Sequence, residues 1–405
     1  MPMASKSNIL NKNKLKQKFE SFHETYKYCA FGLALGLIYP NKKKLRLRYI
    51  IFACVLLING PQIFWFYHYT FKTLFSLDIF NLTRNVTLGV IVFLFVFKTV
   101  YVNMKNDIFE DLLNKITKDL LRGNELDEDC QDLYIKYVRE GKIGEIIWVI
   151  IPILLSAEFP IYAGSLTIYN TIKSDDGKRY MVTEVDLKYI EDKQYSSPYY
   201  EIMFAYNLFQ CVTLPLSFIG FDGSFCIVTT HLRLRLKLVS QQIQKSFIKA
   251  KDRFGLRTRL GEAVKSHQET LLFYDQIQDL YGPWLFMVFC LTSLMISLNL
   301  YQIYFTNRLD PVYITFGFTG VLHMFTPCYY ASKLIEAGEE LSRDAYDASW
   351  EVWADPVTTK TLTFIIAKSH QRLILTGCGL CLFNMELFVS IMKTSYSFFT
   401  LITRT

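Results

Sequence analysis

The sequence has no glycine-rich phosphate loop, no metal-spaced cluster among its six histidines and no nucleophile elbow. Nucleotide-dependent, metal-dependent and acyl-transfer chemistry therefore have no residues to work with, and nothing calls for a catalytic group, a metal or a cofactor. Charged residues are only 20% of the 405. The nine cysteines are scattered, mostly within apolar runs, and the long polar stretch 170–198 has none, which excludes a disulfide framework. Cys378 and Cys381 form a Cys-Gly-Leu-Cys motif with no nearby histidine, read as packing within a membrane helix rather than a metal or redox pair. The first 28 residues are polar and lysine-rich and are not expected to act as a signal peptide. The apolar patch Cys29 to Ile38 is short and ends at Pro40 without a small-residue cleavage site. That patch is expected to be a re-entrant or interfacial segment.

What is present is apolar length. Hydrophobic residues make up 51% and aromatic residues 16% of the chain, more than one soluble core requires. A helix needs about 20 apolar residues to cross a bilayer. Seven such stretches occur: Tyr49 to Tyr67, Val86 to Val102, Ile143 to Tyr169, Ile202 to Thr230, Trp284 to Phe305, Val312 to Ala331, and a last one ending at Ile402. The expected fold is an all-α membrane protein of seven transmembrane helices in a single domain, 1–405. Membrane lipid is its surrounding partner.

Orientation follows from the basic residues, which are retained on the cytoplasmic side. About three quarters of the 44 Lys and Arg fall in residues 1–48 and in the loops after spans two, four and six. The N-terminus is thus expected in the cytoplasm and, with an odd number of spans, the C-terminus outside. The net charge of +7 is explained by this topology, so no nucleic-acid partner is implied. Asn81 and Asn85 head Asn-x-Thr sequons at the predicted outer end of span two and are candidate glycosylation sites. The orientation is the reverse of a rhodopsin-like receptor, and Asp-Arg-Tyr after span three and Asn-Pro-x-x-Tyr in span seven are both missing. No inverted repeat suggests a transporter.

The seventh stretch carries the most information. Apolar character runs over residues 362–402, too long for one crossing, and Gly377 and Gly379 mark a break, so the seventh helix is expected to be split in two. In its second half Glu386, Ser390, Lys393, Thr394, Ser397 and Thr400 recur at steps of three and four and share a face, with Leu387, Phe388, Ile391, Phe398 and Phe399 opposite. Holding a charge near the middle of a membrane helix costs about 2.5 to 3.5 kcal/mol on insertion scales. The stripe therefore either lines a water-filled ion path built from several copies, or is glue in which Glu386 and Lys393 pair with neighbouring helices.

Four spans contribute aromatic and small polar residues to one end of the bundle: Thr87 and Ile91; Ser156, Phe159 and Tyr162; Phe204, Tyr206 and Gln210; Tyr313, Phe316 and Gly317. Pro152 and Pro160 should bend span three and open space there. An apolar cavity with a few hydrogen-bonding groups is the form expected of a small-molecule site, against ordinary bundle packing. Residues 229–282 have helical-period apolar positions (Leu232, Leu236, Val239, Ile243, Phe247) and read as cytoplasmic extensions of spans four and five.

The stretch Leu373-Ile374-Leu375-Thr376, then Asn384-Met385-Glu386-Leu387-Phe388, then Lys393-Thr394-Ser395-Tyr396-Ser397-Phe398-Phe399-Thr400-Leu401 closely resembles the ending of insect odorant receptors. Asp222, His231, His267-Gln268, Gly338-Glu339-Glu340-Leu341, Ala345-Tyr346 and Trp350 agree, so the resemblance runs from span four onward. The resemblance implies a ligand-selective subunit of an odorant-gated, non-selective cation channel, assembled as a heterotetramer with the odorant co-receptor. It implies the plasma membrane of olfactory neuron dendrites and small volatile apolar ligands, bound in a pocket between spans two, three, four and six. It also favours the pore reading of the last helix, with Ser390, Lys393 and Thr394 lining and Tyr396, Ser397 and Thr400 near the gate. The alternatives are a G-protein-coupled or a gustatory-type seven-helix chemoreceptor; the tail lacks the gustatory Thr-Tyr ending.

Overall fold

The computed structural model describes residues 18–173, 178–183, 185–305, 311–353 and 355–402. They form α1 (Phe22–Thr25), α2 (Lys27–Leu35), α3 (Leu45–Phe75), α4 (Ile79–Met104), α5 (Asn106–Gly123), α6 (Glu128–Lys173), α7 (Tyr199–Ser217), α8 (Gly223–Ile248), α9 (Arg253–Phe305), α10 (Pro311–Tyr346), α11 (Pro356–Ser369) and α12 (Met385–Ile402). A two-stranded antiparallel hairpin, β1 (Thr376–Gly377) and β2 (Cys381–Leu382), separates α11 from α12. Much of the predicted N-terminal segment and parts of the stretch 170–198 lie outside the described residues.

Among the described residues, five helical stretches are long and apolar enough to cross a membrane: Lys42–Phe75, Ile79–Met104, Glu128–Lys173, Tyr199–Ile248 and Arg253–Phe305. They coincide with the first five predicted spans. The sixth prediction falls on α10 and the seventh on α11 and α12; His323 and Thr326 in α10 and Glu386 and Lys393 in α12 make these more polar.

At 1.5 Å per residue, the 46 residues of α6 reach about 70 Å and the 53 of α9 about 80 Å. Both far exceed a hydrocarbon layer of about 30 Å. The surplus packs with α5, α8, α10 and α11 into a second, charged half of the bundle. α5 joins through a stripe at helical spacing, Phe109, Leu112, Leu113, Ile116 and Leu120. Ion pairs tie its surface together: Asp119 accepts from Arg235 Nε at 2.6 Å and meets His231 Nε2 at 2.9 Å, Arg233 reaches Glu140 at 2.9 Å, and Lys237 reaches Asp344 at 2.8 Å. Asp355 caps α11 by accepting from the Thr358 amide, with Pro356 in the first turn. Arg257 grips both Asp355 oxygens at 3.0 and 2.7 Å, holding the carboxyl well below its usual range. That contribution is present at neutral pH and is lost as pH falls through the depressed value.

α8 is the axis of the molecule, with every residue from Gly223 to Leu232 buried between α6, α9 and α10. It is entered through a π-helical turn, Phe218–Asp222. α2, which contains most of the short apolar patch, docks on this turn by backbone approach. A Cβ on Gly220 would lie 2.6 Å from the Leu33 nitrogen, and one on Gly32 would lie 2.8 Å from the Gly220 nitrogen. The opposite face of α2 leaves Tyr28, Phe31 and Leu35 exposed.

The π turn aims Asp222 inward, where it meets Lys98 of α4 at 2.7 Å, both side chains fully buried. The Lys98 ammonium lies 3.5 Å above the Phe218 ring. His323 of α10 approaches the same carboxylate at 3.4 Å and bonds Thr292 of α9 at 3.2 Å. Removing one partner of a buried pair leaves a bare charge and typically costs about 3–5 kcal/mol, whereas replacing both is often near neutral. Lys98→Met should accordingly lower the melting temperature and surface expression sharply, with Lys98→Met/Asp222→Asn restoring most of both. A double variant as unstable as the single would show that the pair is not the stabilising unit.

Between α11 and α12, where the sequence marks a break at Gly377 and Gly379, the chain forms a hairpin. Cys378 and Gly379 have φ of 52° and 74°, the paired positive values of a tight hairpin turn. Gln278 of α9 holds the strand by bonding the Thr376 carbonyl and amide, both at 2.8 Å, and Tyr274 donates to the Ile374 carbonyl. Gly377 is required by closeness, because a Cβ there would lie 3.0 Å from the Phe286 backbone. Cys378 and Cys381 therefore sit in a turn and strand, not in a membrane helix as expected; Cys378 is exposed and Cys381 buried.

Candidate functional site

A cavity of about 140 Å3 opens between the start of α4, the far halves of α6 and α9, and the start of α10. Of the expected pocket residues, Thr87, Phe159, Tyr162, Tyr313 and Phe316 line it. Phe159 and Phe316 form its aromatic wall, edge to face at 5.6 Å. Leu88 and Leu166 add apolar surface, and the segment Tyr180 to Thr183 folds over one side. That segment is pinned by Thr167, whose hydroxyl accepts from the Tyr180 amide at 2.9 Å, and by the Tyr200 hydroxyl, which donates to the Tyr180 carbonyl at 3.1 Å.

The other expected lining residues are elsewhere. Phe204 packs with Tyr200, Met203, Met181 and Leu187 in a small separate cluster. Tyr206 donates to the Ile58 carbonyl at 3.0 Å and Gln210 to Asn59 Oδ1 at 2.6 Å, so this face of α7 turns toward α3. Ile91 and Ser156 are half-buried outside the cavity wall. Gly317 faces α9, where an added Cβ would lie 3.9 Å from Asn299 and Ile303. The fourth wall comes instead from Asn299 and Gln302 of α9, which sequence reasoning missed. Their signal was present as two amides in an apolar run, but helical period alone does not say which neighbour a face meets.

Asn85 also lines the cavity and is fully buried. A glycan acceptor must be reachable, and in the folded chain the Asn85 side chain has no exposed surface. Asn81 is half-exposed and hydrogen-bonded to Asp78 at 2.7 Å in the first turn of α4.

The second feature is the polar face of α12. The helix starts where Asn384 Oδ1 caps the Leu387 amide at 2.8 Å. One side packs into the bundle: Ile391 and Ser395 are buried, the Ser395 hydroxyl donates to the Ser293 carbonyl of α9 at 3.3 Å, and Phe388 meets Phe325 of α10. Glu386, Ser390, Lys393, Thr394, Tyr396 and Ser397 are exposed, while Thr400 is half-buried. Neither Glu386 nor Lys393 has an ion-pair partner among the described residues, so glue within the chain does not explain them. Phe398, on the face opposite the polar stripe, is 45% exposed.

Two features thus stand out in a helical bundle with membrane-length apolar helices: a largely apolar cavity near one end and an exposed polar helix face. A family model described as "7tm Odorant receptor" matches residues 78–396, and the chain belongs to that family. It is 28% identical over 213 residues to Odorant receptor 82a of Drosophila melanogaster, an alignment covering 51% of this chain and 54% of that protein. It is 22% identical to Odorant receptor 10 of Aedes albopictus over 78% of this chain and 82% of that one. The chain thus spans only about half the length of some curated relatives and most of others. Its fold is similar to that of the insect olfactory receptor OR5 from Machilis hrabei in complex with eugenol, with a TM-score of 0.76 and 15% identity over 94% of this chain and 98% of that one.

The burial of Asn85 gives a direct test of the sequon assignment. Asn85→Gln should leave any glycosidase-sensitive shift in electrophoretic mobility unchanged; loss of a glycan band would show that the side chain is reachable.

Proposed function

We propose that this chain is the ligand-selective subunit of an odorant-gated, non-selective cation channel completed by the odorant co-receptor in a heterotetramer. It lies in the plasma membrane of olfactory neuron dendrites, N-terminus cytoplasmic and C-terminus outside, with α11 and α12 as the two halves of a seventh helix. Small volatile apolar molecules occupy the cavity, and the exposed face of α12, with Ser390, Lys393 and Thr394, faces the ion path. Tyr396, Ser397 and Thr400 lie toward its gate.

The observation that carries this reading is shared walls. α9 presents Asn299 and Gln302 to the cavity and Ser293 and Tyr304 to α12; α10 presents Tyr313 and Phe316 to the cavity and Phe325 to α12. A ligand that binds more tightly when these two helices are in their open arrangement shifts the channel toward opening. Lys and Arg asymmetry supports the orientation, and unpaired Glu386 and Lys393 support a partner or water against α12.

Expression with the co-receptor should give odorant-evoked current that is absent without it and persists when G-protein signalling is blocked; loss of current under the block would overturn the channel reading. Phe316→Ala and Tyr162→Ala should reorder ligand potencies by roughly tenfold or more while leaving the reversal potential unchanged. Lys393→Ala should do the opposite, changing conductance or ion preference without reordering ligands. An unaltered current would remove α12 from the ion path.

A further inference from the structure

Asn85 is the one carboxamide of the cavity wall with neither its Nδ2 nor its Oδ1 hydrogen-bonded among the described residues, although the side chain is fully buried. Its polar neighbours have directed their donors elsewhere. The Thr87 hydroxyl donates to the Thr83 carbonyl at 2.9 Å, Asn299 Nδ2 to the Met295 carbonyl at 2.9 Å, and Gln302 Nε2 to the Phe80 carbonyl at 2.8 Å. The rest of the wall is mostly aliphatic and aromatic, with Leu88, Phe159, Leu166 and Phe316, and Arg84 and Thr183 add polar groups to it. A buried amide left unpaired is strongly penalised, more than the pairing itself gains. A ligand that brings a hydrogen-bonding group to this amide relieves that penalty, and a purely apolar ligand does not.

Resting on the reading of this cavity as the ligand site, we propose that Asn85 is the specificity-determining hydrogen-bond partner of the ligand. The cavity then selects compact oxygenated molecules, alcohols first, over hydrocarbons of the same shape. A hydroxyl can donate to Oδ1 or accept from Nδ2, a ketone can only accept from Nδ2, and a hydrocarbon can do neither. An apolar cavity of about 150 Å3 holds one benzene, close to the 140 Å3 here. A single-ring ligand fits this space, with its oxygen toward α4 and its apolar body against Phe159 and Phe316.

The test uses the full chain expressed with its co-receptor, and two matched series: benzyl alcohol, acetophenone and toluene, then 1-hexanol, 2-hexanone and hexane. In the unsubstituted receptor the alcohols should be at least tenfold more potent than their hydrocarbons. Asn85→Leu, which keeps the branched outline but is larger, and Asn85→Ala, which is smaller, should both collapse that ratio to within about twofold, and Asn85→Ser, which keeps a hydroxyl, should retain part of it. Comparing ratios between variants cancels differences in membrane partitioning and in surface expression, and either of the two apolar variants suffices if the other fails to reach the surface. An unchanged ratio in the apolar variants overturns the proposal, as does a receptor that prefers the hydrocarbons or answers to no oxygenated member. If Phe316→Ala reorders ligands by size while the Asn85 variants leave the ratio intact, the cavity remains the ligand site and only the role of Asn85 falls. If neither has an effect, both fall.

Discussion

The buried contact between Lys98 and Asp222 is the constraint around which the bundle is arranged. Two opposite charges removed from water persist only when they meet each other and are oriented by further contacts. Here the orientation comes from four elements at once: α4 supplies Lys98, the π turn supplies Asp222 and Phe218, α10 supplies His323, and α9 supplies Thr292. Trp148 of α6 closes the set by standing edge-on to His323 at 5.4 Å. The helices joined here are those whose far ends form the cavity. A π turn, which places one extra residue in a helical turn, re-aims Asp222 between them and at the same time gives α2 a glycine surface to dock on.

From that knot the chain diverges in two directions. Toward one end, α4, α6, α9 and α10 separate enough to leave the cavity. Toward the other, α6, α8, α9 and α10 run on into a charged assembly sealed by Asp119, Arg233, Arg235 and Lys237. α12 is attached along α9 and α10 between these ends, through the hairpin that Gln278 grips and through Ser395 and Phe388. A change in the spacing of α9 and α10 at the cavity thus has a short packed route to α12, with no loop intervening.

The apolar runs made the membrane-length helices legible, and the tail residues from Leu373 to Leu401 made the family legible. Period also indicated the polar face of α12, because a single helix in contact with two others has only one free side. What period could not supply was the rotational setting of one helix against another. Tyr206 and Gln210 look as suited to a pocket as Asn299 and Gln302, and only the packing of α7 on α3 assigns the first pair elsewhere. Gly377 and Gly379 marked the position of the break but not its form, since the hairpin depends on Gln278, about 100 residues earlier. The stretch from Asn106 to Gly123 falls in the basic loop after span two, although its apolar residues follow the helical period; its partners include α6, α8 and α9, farther along the chain.

Asn85 shows how the same local pattern supports opposite roles. Asn-Val-Thr reads as a glycan acceptor when the start of α4 is taken to face solvent. In the fold the Thr83 and Thr87 hydroxyls turn back onto the α4 backbone or bond within the wall, and Gln302 from α9 covers the outer side of the turn. The asparagine is left inside with its amide uncommitted. α12 presents the complementary situation, with Glu386 and Lys393 uncommitted on the outside of the bundle. Polar groups are normally paired wherever they leave water. In both places polar groups are left without a partner among the described residues, at Asn85 inside the bundle and at Glu386 and Lys393 on its surface.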